Sequence, residues 1–407
     1  MPSSAGSSPP AAPRGSPRSR ARKILARLGL VSLTSLSALL AAELAVRAFG
    51  PILPPRGDVA ARGLLAPVSP EKAPGLGFAL VQGRRTEAVY PGLPGEEPRV
   101  VRYAINEHGF RGPTCARRKP GRAFRIIALG DSFTFGTAVQ LEETWPFLLE
   151  RALAELVPEL RFEVLNWGVP AYNTRQELAL LARRAGAFEP DLVLLCAYVN
   201  DASGQGSGVE AGEPPWEARW RDRLGLTSGR WGPDEPKTPA QARTMALRER
   251  SRLADLLAHR THGWLTARAL RRDYRADWSA GSPGRAMVAA ALAEGRALAA
   301  ERGFALHATM YPDLQGLDGD YPFAPEHATF QGLCEDLDIP FHDLLPALRG
   351  RDPAELRAHA HDHHPSGACN RIVADSLARG LLPFIDPGHG EGERALDPEY
   401  APRSRER

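Results

Sequence analysis

Short apolar runs alternate with amphipathic segments from about residue 125 to residue 200 and again from about residue 284 to residue 382. The apolar runs have the length of strands and cover residues 125–129, 163–166, 191–199, 304–310 and 339–342. Apolar residues recur at helical spacing near residues 142–156, 174–186, 284–302, 326–336 and 370–382. This alternation predicts a largely parallel sheet that is flanked by helices on both faces, in an α/β fold.

A different pattern precedes this region. Residues 28–42 carry no charge, and the wider segment 24–49 is long enough for a membrane-spanning helix, which needs about 20 residues. Six positive charges come before the first acidic residue, Glu43; they are Arg14, Arg18, Arg20, Arg22, Lys23 and Arg27. Positive charge on one side of an apolar segment predicts that this side stays in the cytoplasm and that the remainder lies outside.

The apolar segment has two interpretations. A cleaved signal peptide has an apolar core of about 7–15 residues and a small-residue cleavage site. The uncharged core is at the upper end of that range, and no clear Ala-x-Ala site occurs before Glu43. We therefore expect a retained signal anchor, with the cleaved signal as the alternative.

The remaining chain divides by composition. Beside the anchor at 24–49, the expected parts are a basic disordered tail (1–23), a linker with an N-terminal extension (50–120), a main α/β domain (121–385) that contains an insertion (202–283), and a polar tail (386–407). Residues 99–105 alternate enough to form a strand, which we expect as an added edge of the sheet. The net charge of +3 argues against a nucleic-acid partner.

Candidate chemistry begins where the first strand of the sheet ends. The run at 125–129 leads directly into Gly130-Asp131-Ser132. Open α/β sheets place their ligands at the carboxyl ends of the strands, and backbone N–H groups at the following turn can face a developing negative charge. Taken alone, Asp131 and Ser132 are also common turn-capping residues.

The serine is followed by further polar residues in a definite order. Gly168 lies in a loop after the second strand, Asn200 and Asp201 follow the third, and Asp362 and His364 come late in the chain. This ordered set resembles the SGNH (GDSL-type) hydrolase superfamily, over about residues 100–385. The segment 106–113 resembles membrane-anchored bacterial members. The resemblance implies a three-layer, flavodoxin-like sandwich with a mainly parallel sheet.

The resemblance also implies a role for each residue. Ser132 would be the nucleophile, His364 the general base and Asp362 the acid that orients it. The oxyanion would be bound by the backbone N–H of Ser132, the backbone N–H of Gly168 and the side-chain amide of Asn200. Each role has a chemical reason: a hydroxyl needs a base, an imidazole titrates near neutral pH, and an oxyanion needs preorganised donors. No cofactor is implied.

The late histidine block leaves alternatives. Many relatives place the acid three residues before the histidine, but here that position holds His361, and Asp362 is two before His364. The shorter spacing resembles some polysaccharide O-acetyltransferases. His363 is a rival base, although Pro365 after His364 resembles the family pattern. The tract also includes His359 and could bind metal, but it lacks supporting ligands elsewhere, and no metal is expected.

Several other residues are open to a functional or a structural interpretation. Trp167 and Tyr172 flank the loop glycine and suit either a substrate pocket or packing. His307 and the His342-Asp343 pair suit structural roles. The four cysteines have no metal-type spacing, and a bridge between two of them, Cys334 and Cys369, is possible outside the cytoplasm.

We therefore expect a membrane-tethered serine esterase that cleaves or transfers an acyl group, most simply acetyl, on an extracytoplasmic small molecule or polysaccharide. Transfer to a sugar hydroxyl would make the enzyme a polysaccharide O-acetyltransferase. A non-catalytic carbohydrate-binding or envelope-assembly protein on the same fold is the alternative from another class, because a fold does not guarantee an activity.

Overall fold

The structure is a computed structural model of the 407-residue chain. It describes residues 17–49, 63–69, 71, 73–90, 99–203, 239–358 and 364–385. These residues form two compact units. One contains the described residues 17–49 and 239–264, and the other contains the remaining described residues.

The strands are β1 (Leu65–Pro67), β2 (Phe78–Leu80), β3 (Arg85–Tyr90), β4 (Arg99–Ala104), β5 (Ala123–Gly130), β6 (Arg161–Gly168), β7 (Leu192–Ala197), β8 (Ala305–Met310) and β9 (Phe341–Asp343). The helices are α1 (Pro17–Phe49), α2 (Ser132–Phe135), α3 (Trp145–Leu156), α4 (Thr174–Arg184), α5 (Pro239–Arg250), α6 (Arg252–Trp278), α7 (Pro283–Arg302), α8 (Ala324–Glu335), α9 (Leu345–Leu348), α10 (Pro353–Leu356) and α11 (Gly367–Leu381).

Five strands form one parallel sheet in the order β6-β5-β7-β8-β9. This is the flavodoxin-like order 2-1-3-4-5, and it confirms the predicted fold class. All eight residues of β5 are buried, because β5 has a strand on each side and helices above and below. Burial on both faces explains why the strands appear in the sequence as continuous apolar runs rather than alternating ones.

Helices pack against this sheet in pairs. α3 lies against β6 and α11, whereas α4 packs on α7. Their ends follow ordinary capping rules: the side chains of Asn173, Ser282 and Ser366 accept backbone N–H groups at the starts of α4, α7 and α11. All the predicted strands and helices of this region are present, with boundaries shifted by a few residues.

The segment 99–105 differs from the expectation. It forms β4, but β4 pairs antiparallel with β3 in a separate two-stranded sheet, not with the edge of the main sheet. Side chains of β4 alternate between buried and exposed, with Val101 and Tyr103 turned inward. The hairpin therefore packs on the domain through one face. The sequence analysis assigned no strand to β3, which lies in the expected linker and N-terminal extension at 50–120, where Pro and Gly are frequent.

The N-terminal helix α1 belongs to the unit that contains residues 17–49 and 239–264. Within the described residues, one helix segment, Ala26–Phe49, is long and apolar enough to cross a membrane, with 24 residues. Near its end, the Glu43 carboxylate accepts the backbone N–H of Leu253 and the hydroxyl of Ser251, at the start of α6. α5 and α6 lie in the predicted insertion, where no helix was expected. Part of that insertion, residues 204–238, lies outside the described residues, as do the tails at 1–16 and 386–407.

Candidate active site

Ser132 lies at the start of a helix of a single turn. β5 ends at Gly130, and the Asp131 side chain caps α2 by accepting the Phe133 N–H at 2.8 Å. Four residues later Gly136, with a φ of 84°, ends the helix in the left-handed region, where glycine is favoured. The turn places the half-buried serine at the carboxyl end of a central strand.

Ser132 and His364 lie far apart along the chain, but their side chains are in contact. The His364 Nε2 lies 2.8 Å from the Ser132 Oγ. A short antiparallel bridge between Arg357 and Pro365 holds the segment, and the Ala358 N–H donates to the His364 carbonyl at 2.9 Å. This is hydrogen-bond geometry for a nucleophile and its base, in which a neutral Nε2 accepts the serine proton.

The rest of the late block lies outside the described residues. Asp362, the expected orienting acid, belongs to the segment 359–363, as do the rival base His363 and the neighbouring His359 and His361. The orienting role of Asp362 and the choice between His363 and His364 stay predictions. In the part of the chain that the structure describes, no group of three or more His, Cys, Asp or Glu residues is arranged to hold a metal ion.

Asn200 reaches the Ser132 turn from the end of the neighbouring strand. It lies in a tight turn after β7, and its Nδ2 is 3.4 Å from the Asp131 Oδ2. Its Oδ1 is buried and meets no donor among the described residues. The weak contact to Asp131 leaves the amide available to a stronger acceptor, such as a substrate oxygen.

Three acidic side chains are fully buried behind this turn. Burial raises the pKa of Asp131 to about 6, although the Phe133 N–H and the charge of His364 oppose the shift. Burial, together with mutual repulsion, also raises the pKa of Glu177 and of Asp201 well above the usual carboxyl range. Asp201 accepts the Thr174 hydroxyl at 2.7 Å. Glu177 and Asp201 therefore favour their protonated forms, whereas Asp131, with a pKa of about 6, is mostly ionised at neutral pH.

Gly168 has a packing role that the sequence did not reveal. Its N–H donates to the Asn166 Oδ1 at 3.0 Å, while the Asn166 Nδ2 donates to the Thr134 carbonyl at 2.9 Å. A Cβ at Gly168 would lie 2.1 Å from the backbone nitrogen of Phe135. The close approach that requires glycine is therefore to the backbone of α2.

The same loop contains another candidate donor. Val169 and Tyr172 give their N–H groups to backbone carbonyls, and Asn173 gives its N–H to the Gln176 side chain. The N–H of Ala171 donates to no atom of the described residues, and Ala171 is exposed with a φ of 66°. A left-handed conformation at a non-glycine residue is uncommon and worth a functional explanation.

The remaining candidates have structural surroundings. Trp167 is buried and stacks on Phe110, with 4.3 Å between the ring centroids. Tyr172 donates its hydroxyl to the Phe78 carbonyl. Burial lowers the pKa of His307 to about 4. These contacts support the packing interpretation of each residue.

The side chains of His342 and Asp343 contact different partners. The His342 Nε2 lies 2.9 Å from the Ser376 hydroxyl, and the Asp343 carboxylate lies 2.8 Å from the Nδ1 of His327. Cys334 and Cys369 are both free thiols, so the possible bridge is absent between them.

Comparison with known proteins identifies the family. Residues 128–372 match the GDSL-like lipase/acylhydrolase family. The chain belongs to this family. The match begins in β5, just before Ser132, and extends beyond His364, so it includes both members of the hydrogen-bonded pair. The resemblance drawn from the sequence is thereby confirmed, and so is the assignment to the class of carboxylic ester hydrolases.

Individual relatives are distant. The chain is 34% identical over 77 residues to an arylesterase from Vibrio mimicus, which is 19% of this chain and 38% of that protein's length. An acetylxylan esterase from Geobacillus stearothermophilus has a TM-score of 0.37 and 17% identity, over 64% of this chain and 95% of that one. An esterase from Pseudoalteromonas has a TM-score of 0.35 and 13% identity, over 64% and 98%.

The packing of Gly168 leads to a testable prediction. Gly168→Ala should lower the free energy of unfolding by at least about 2 kcal/mol, because the added methyl group meets α2 backbone that cannot move independently of Ser132. Gly332→Ala is the matched control: a Cβ there meets nothing within 4 Å, and alanine in a helix should stabilise by about 0.5–1 kcal/mol. Chemical unfolding of the two variants measures both effects. Equal stability of the two variants would contradict this packing.

Proposed function

We propose that the chain is a serine esterase in which Ser132 attacks the substrate carbonyl and His364 acts as the general base. The single observation that carries this proposal is the 2.8 Å contact between the Ser132 Oγ and the His364 Nε2. Asp362 is proposed to orient the imidazole and to stabilise its protonated form. In an extended segment, side chains two residues apart project to the same side, so the spacing of Asp362 and His364 in the sequence supports this pairing.

In the first step the Ser132 oxygen bonds to the ester carbonyl carbon while His364 takes the hydroxyl proton. The carbonyl oxygen becomes an oxyanion. We propose that it is bound by the Ser132 N–H, the Asn200 amide and an N–H of the loop after β6. Because the Gly168 N–H is already donated to Asn166, the N–H of Ala171 replaces it in this proposal. Each such donor is worth about 3–4 kcal/mol in comparable sites.

Collapse of the tetrahedral intermediate breaks the ester bond. The protonated His364 gives its proton to the departing alcohol, and the acyl group stays on Ser132 as an ester. In the second step His364 deprotonates the incoming hydroxyl, which attacks the acyl carbon. The bond from that carbon to the Ser132 oxygen then breaks, and the protonated His364 returns the proton to this oxygen. Water as the incoming group gives hydrolysis, whereas a sugar hydroxyl gives transfer.

The proposed substrate is a short acyl ester, most simply an acetyl ester, on a small molecule or polysaccharide. The two-residue spacing of Asp362 and His364 supports polysaccharide O-acetyl transfer as the second candidate. The Ser132–His364 hydrogen bond speaks against a purely non-catalytic binding protein, because a scaffold has no need for a nucleophile next to a base.

We further propose that α1 is retained as an anchor and that the catalytic domain lies outside the cytoplasm. Two features support this: the apolar span of Ala26–Phe49 and the positive charges that precede it. The esterase would then act in the periplasm or at the cell surface.

Two substitutions test the nucleophile and the base. Ser132→Ala and His364→Ala should each reduce kcat/KM on p-nitrophenyl acetate by at least about 10³-fold, because each removes one partner of the proton transfer. The double variant should be little worse than either single variant, since the residues act as a unit. Steady-state kinetics of folded, detergent-solubilised protein provides the measurement.

The adjacent histidine supplies the control. His363→Ala should keep most of the wild-type activity, because neighbouring side chains in an extended loop point in different directions. If His363→Ala loses activity and His364→Ala retains it, the proposed base and its orienting acid are both misassigned. Ser132→Ala with appreciable turnover would exclude the proposed nucleophile.

The anchor proposal predicts that membrane-extracted protein keeps its N-terminal residues. Intact-mass analysis should give the mass of the chain with residues 24–49 still attached. Protease added to intact spheroplasts should digest the catalytic domain and spare the tail, since the tail is expected in the cytoplasm. A mature N-terminus between about residues 43 and 60 would instead identify a cleaved signal peptide.

A further inference from the structure

The catalytic proposal gives no role to the segment 106–113, which follows the β3–β4 hairpin. Its arginine, Arg111, is 2% exposed. The Arg111 Nη1 donates to the carbonyl of Phe135 at 2.8 Å and to the carbonyl of Gly136, and its Nη2 donates to the carbonyl of Val139 at 2.7 Å. One guanidinium therefore binds three carbonyls of the turn that follows the nucleophile helix.

Those carbonyls belong to the end of α2, which begins at Ser132. A helix of four residues leaves its last carbonyls without intrahelical partners, and a cation is favourable at that end. At the same turn the N–H groups of Gly136 and Thr137 both donate to the Ser132 carbonyl, at 3.0 and 3.1 Å. The backbone that Arg111 holds is thus hydrogen-bonded directly to the backbone of the nucleophile.

Arg111 is costly to bury. In the described part of the chain no carboxylate forms an ion pair with it, and burial lowers its pKa to about 10, so it stays a cation at neutral pH. Its guanidinium lies over the rings of Tyr103 and Phe135, at 4.6 and 5.1 Å from the centroids. A buried charge without an ionic partner lowers stability unless its hydrogen bonds compensate, and here these bonds go to the nucleophile turn.

The neighbouring hairpin reinforces the same contact. The Asn106 Oδ1 accepts the N–H groups of His108 and Phe110, at 3.0 and 3.1 Å, and this fixes the loop that carries Arg111. The Tyr103 hydroxyl accepts the N–H of Ala138 at 2.9 Å. Ala138 itself is held in the left-handed region, with a φ of 66°. The segment and the hairpin together bind both donors and acceptors of residues 135–139.

We propose that Arg111 is a positioning residue, whose hydrogen bonds to the 135–139 turn hold Ser132 in the orientation that catalysis needs. This inference deepens the proposed function and rests on it. Arg111 touches no reacting atom and acts through the backbone of α2. Because misplacement of a catalytic group by about 1 Å can cost about 10²-fold in rate, loosening this turn should lower the rate of the chemical step and leave substrate binding unchanged.

The test uses Arg111→Met and Arg111→Lys in the full-length protein, with p-nitrophenyl acetate as substrate. Arg111→Met should lower kcat by about 10–100-fold while KM changes by less than about threefold. Arg111→Lys should recover part of this loss. The lysine ammonium keeps the positive charge, but it is too compact to bind all three carbonyls that the planar guanidinium binds.

Arg184→Met is the matched control. Arg184 also donates to the same segment, at the His108 carbonyl, and it lies 5.0 Å from the centroid of the Phe110 ring. It makes no contact with residues 135–139 in the described structure. Its loss should lower the melting temperature and leave kcat within about twofold of the wild type.

A second readout needs no catalysis. Hydrogen exchange measured by mass spectrometry on peptides covering 131–140 should accelerate in Arg111→Met, and not in Arg184→Met, because the Gly136 and Thr137 amides lose their support. Unchanged exchange, or a kcat loss equal to that of Arg184→Met, would overturn the proposal. If Arg111→Met fails to fold, Arg111→Lys decides by the same criteria. If exchange accelerates in Arg111→Met but the wild-type protein itself has no esterase activity, the esterase proposal is contradicted. The inference that Arg111 holds the 135–139 turn then still stands.

Discussion

The close approach of three backbones beneath Ser132 is the constraint on which the rest of this site depends. β5 ends at Gly130, where an added Cβ would lie 2.2 Å from the Thr134 Oγ1 and 2.8 Å from the Cys196 carbonyl. β6 ends opposite it at Gly168, in equally close contact with α2. Two glycines at the same level of the sheet let the chain turn back over the strand ends. α2 therefore packs tightly on the sheet, and Ser132 is held at the carboxyl ends of the strands.

This packing also sets the electrostatics. Asp131 must be buried in order to cap α2, and burial raises its pKa to about 6. It accepts the Phe133 N–H and lies 3.4 Å from the Asn200 amide, and the charge of His364 opposes the rise of its pKa. On the opposite side of the turn, Arg111 brings a cation to the last carbonyls of α2. α2 thus has a carboxyl group at its start and a guanidinium group at its end, which is the arrangement that a helix dipole favours.

The sequence predicted the sheet well because its strands are buried on both faces and are therefore apolar throughout. The family resemblance carried by the order of the polar residues implied that Ser132 and His364 are partners, and the structure brings their side chains together. The sequence analysis missed β3 because Pro and Gly dominate the surrounding residues. It assigned Gly168 to substrate approach because a loop glycine carries no sign of which backbone comes near it. Nothing in the sequence indicated the left-handed backbone conformation of Ala171, since alanine rarely adopts it. Arg111 did have one: it lies between an aromatic residue and a glycine in a segment with the composition of a turn.

The most direct test of the account is covalent labelling by a fluorophosphonate, which reacts with a serine only when a base activates it. Peptide mass spectrometry of labelled wild-type protein should find a single adduct, on Ser132. His364→Ala should slow that labelling by at least about 10²-fold while the protein stays folded. An adduct on another residue, or a labelling rate that does not depend on His364, would contradict the assignment of this pair as nucleophile and base.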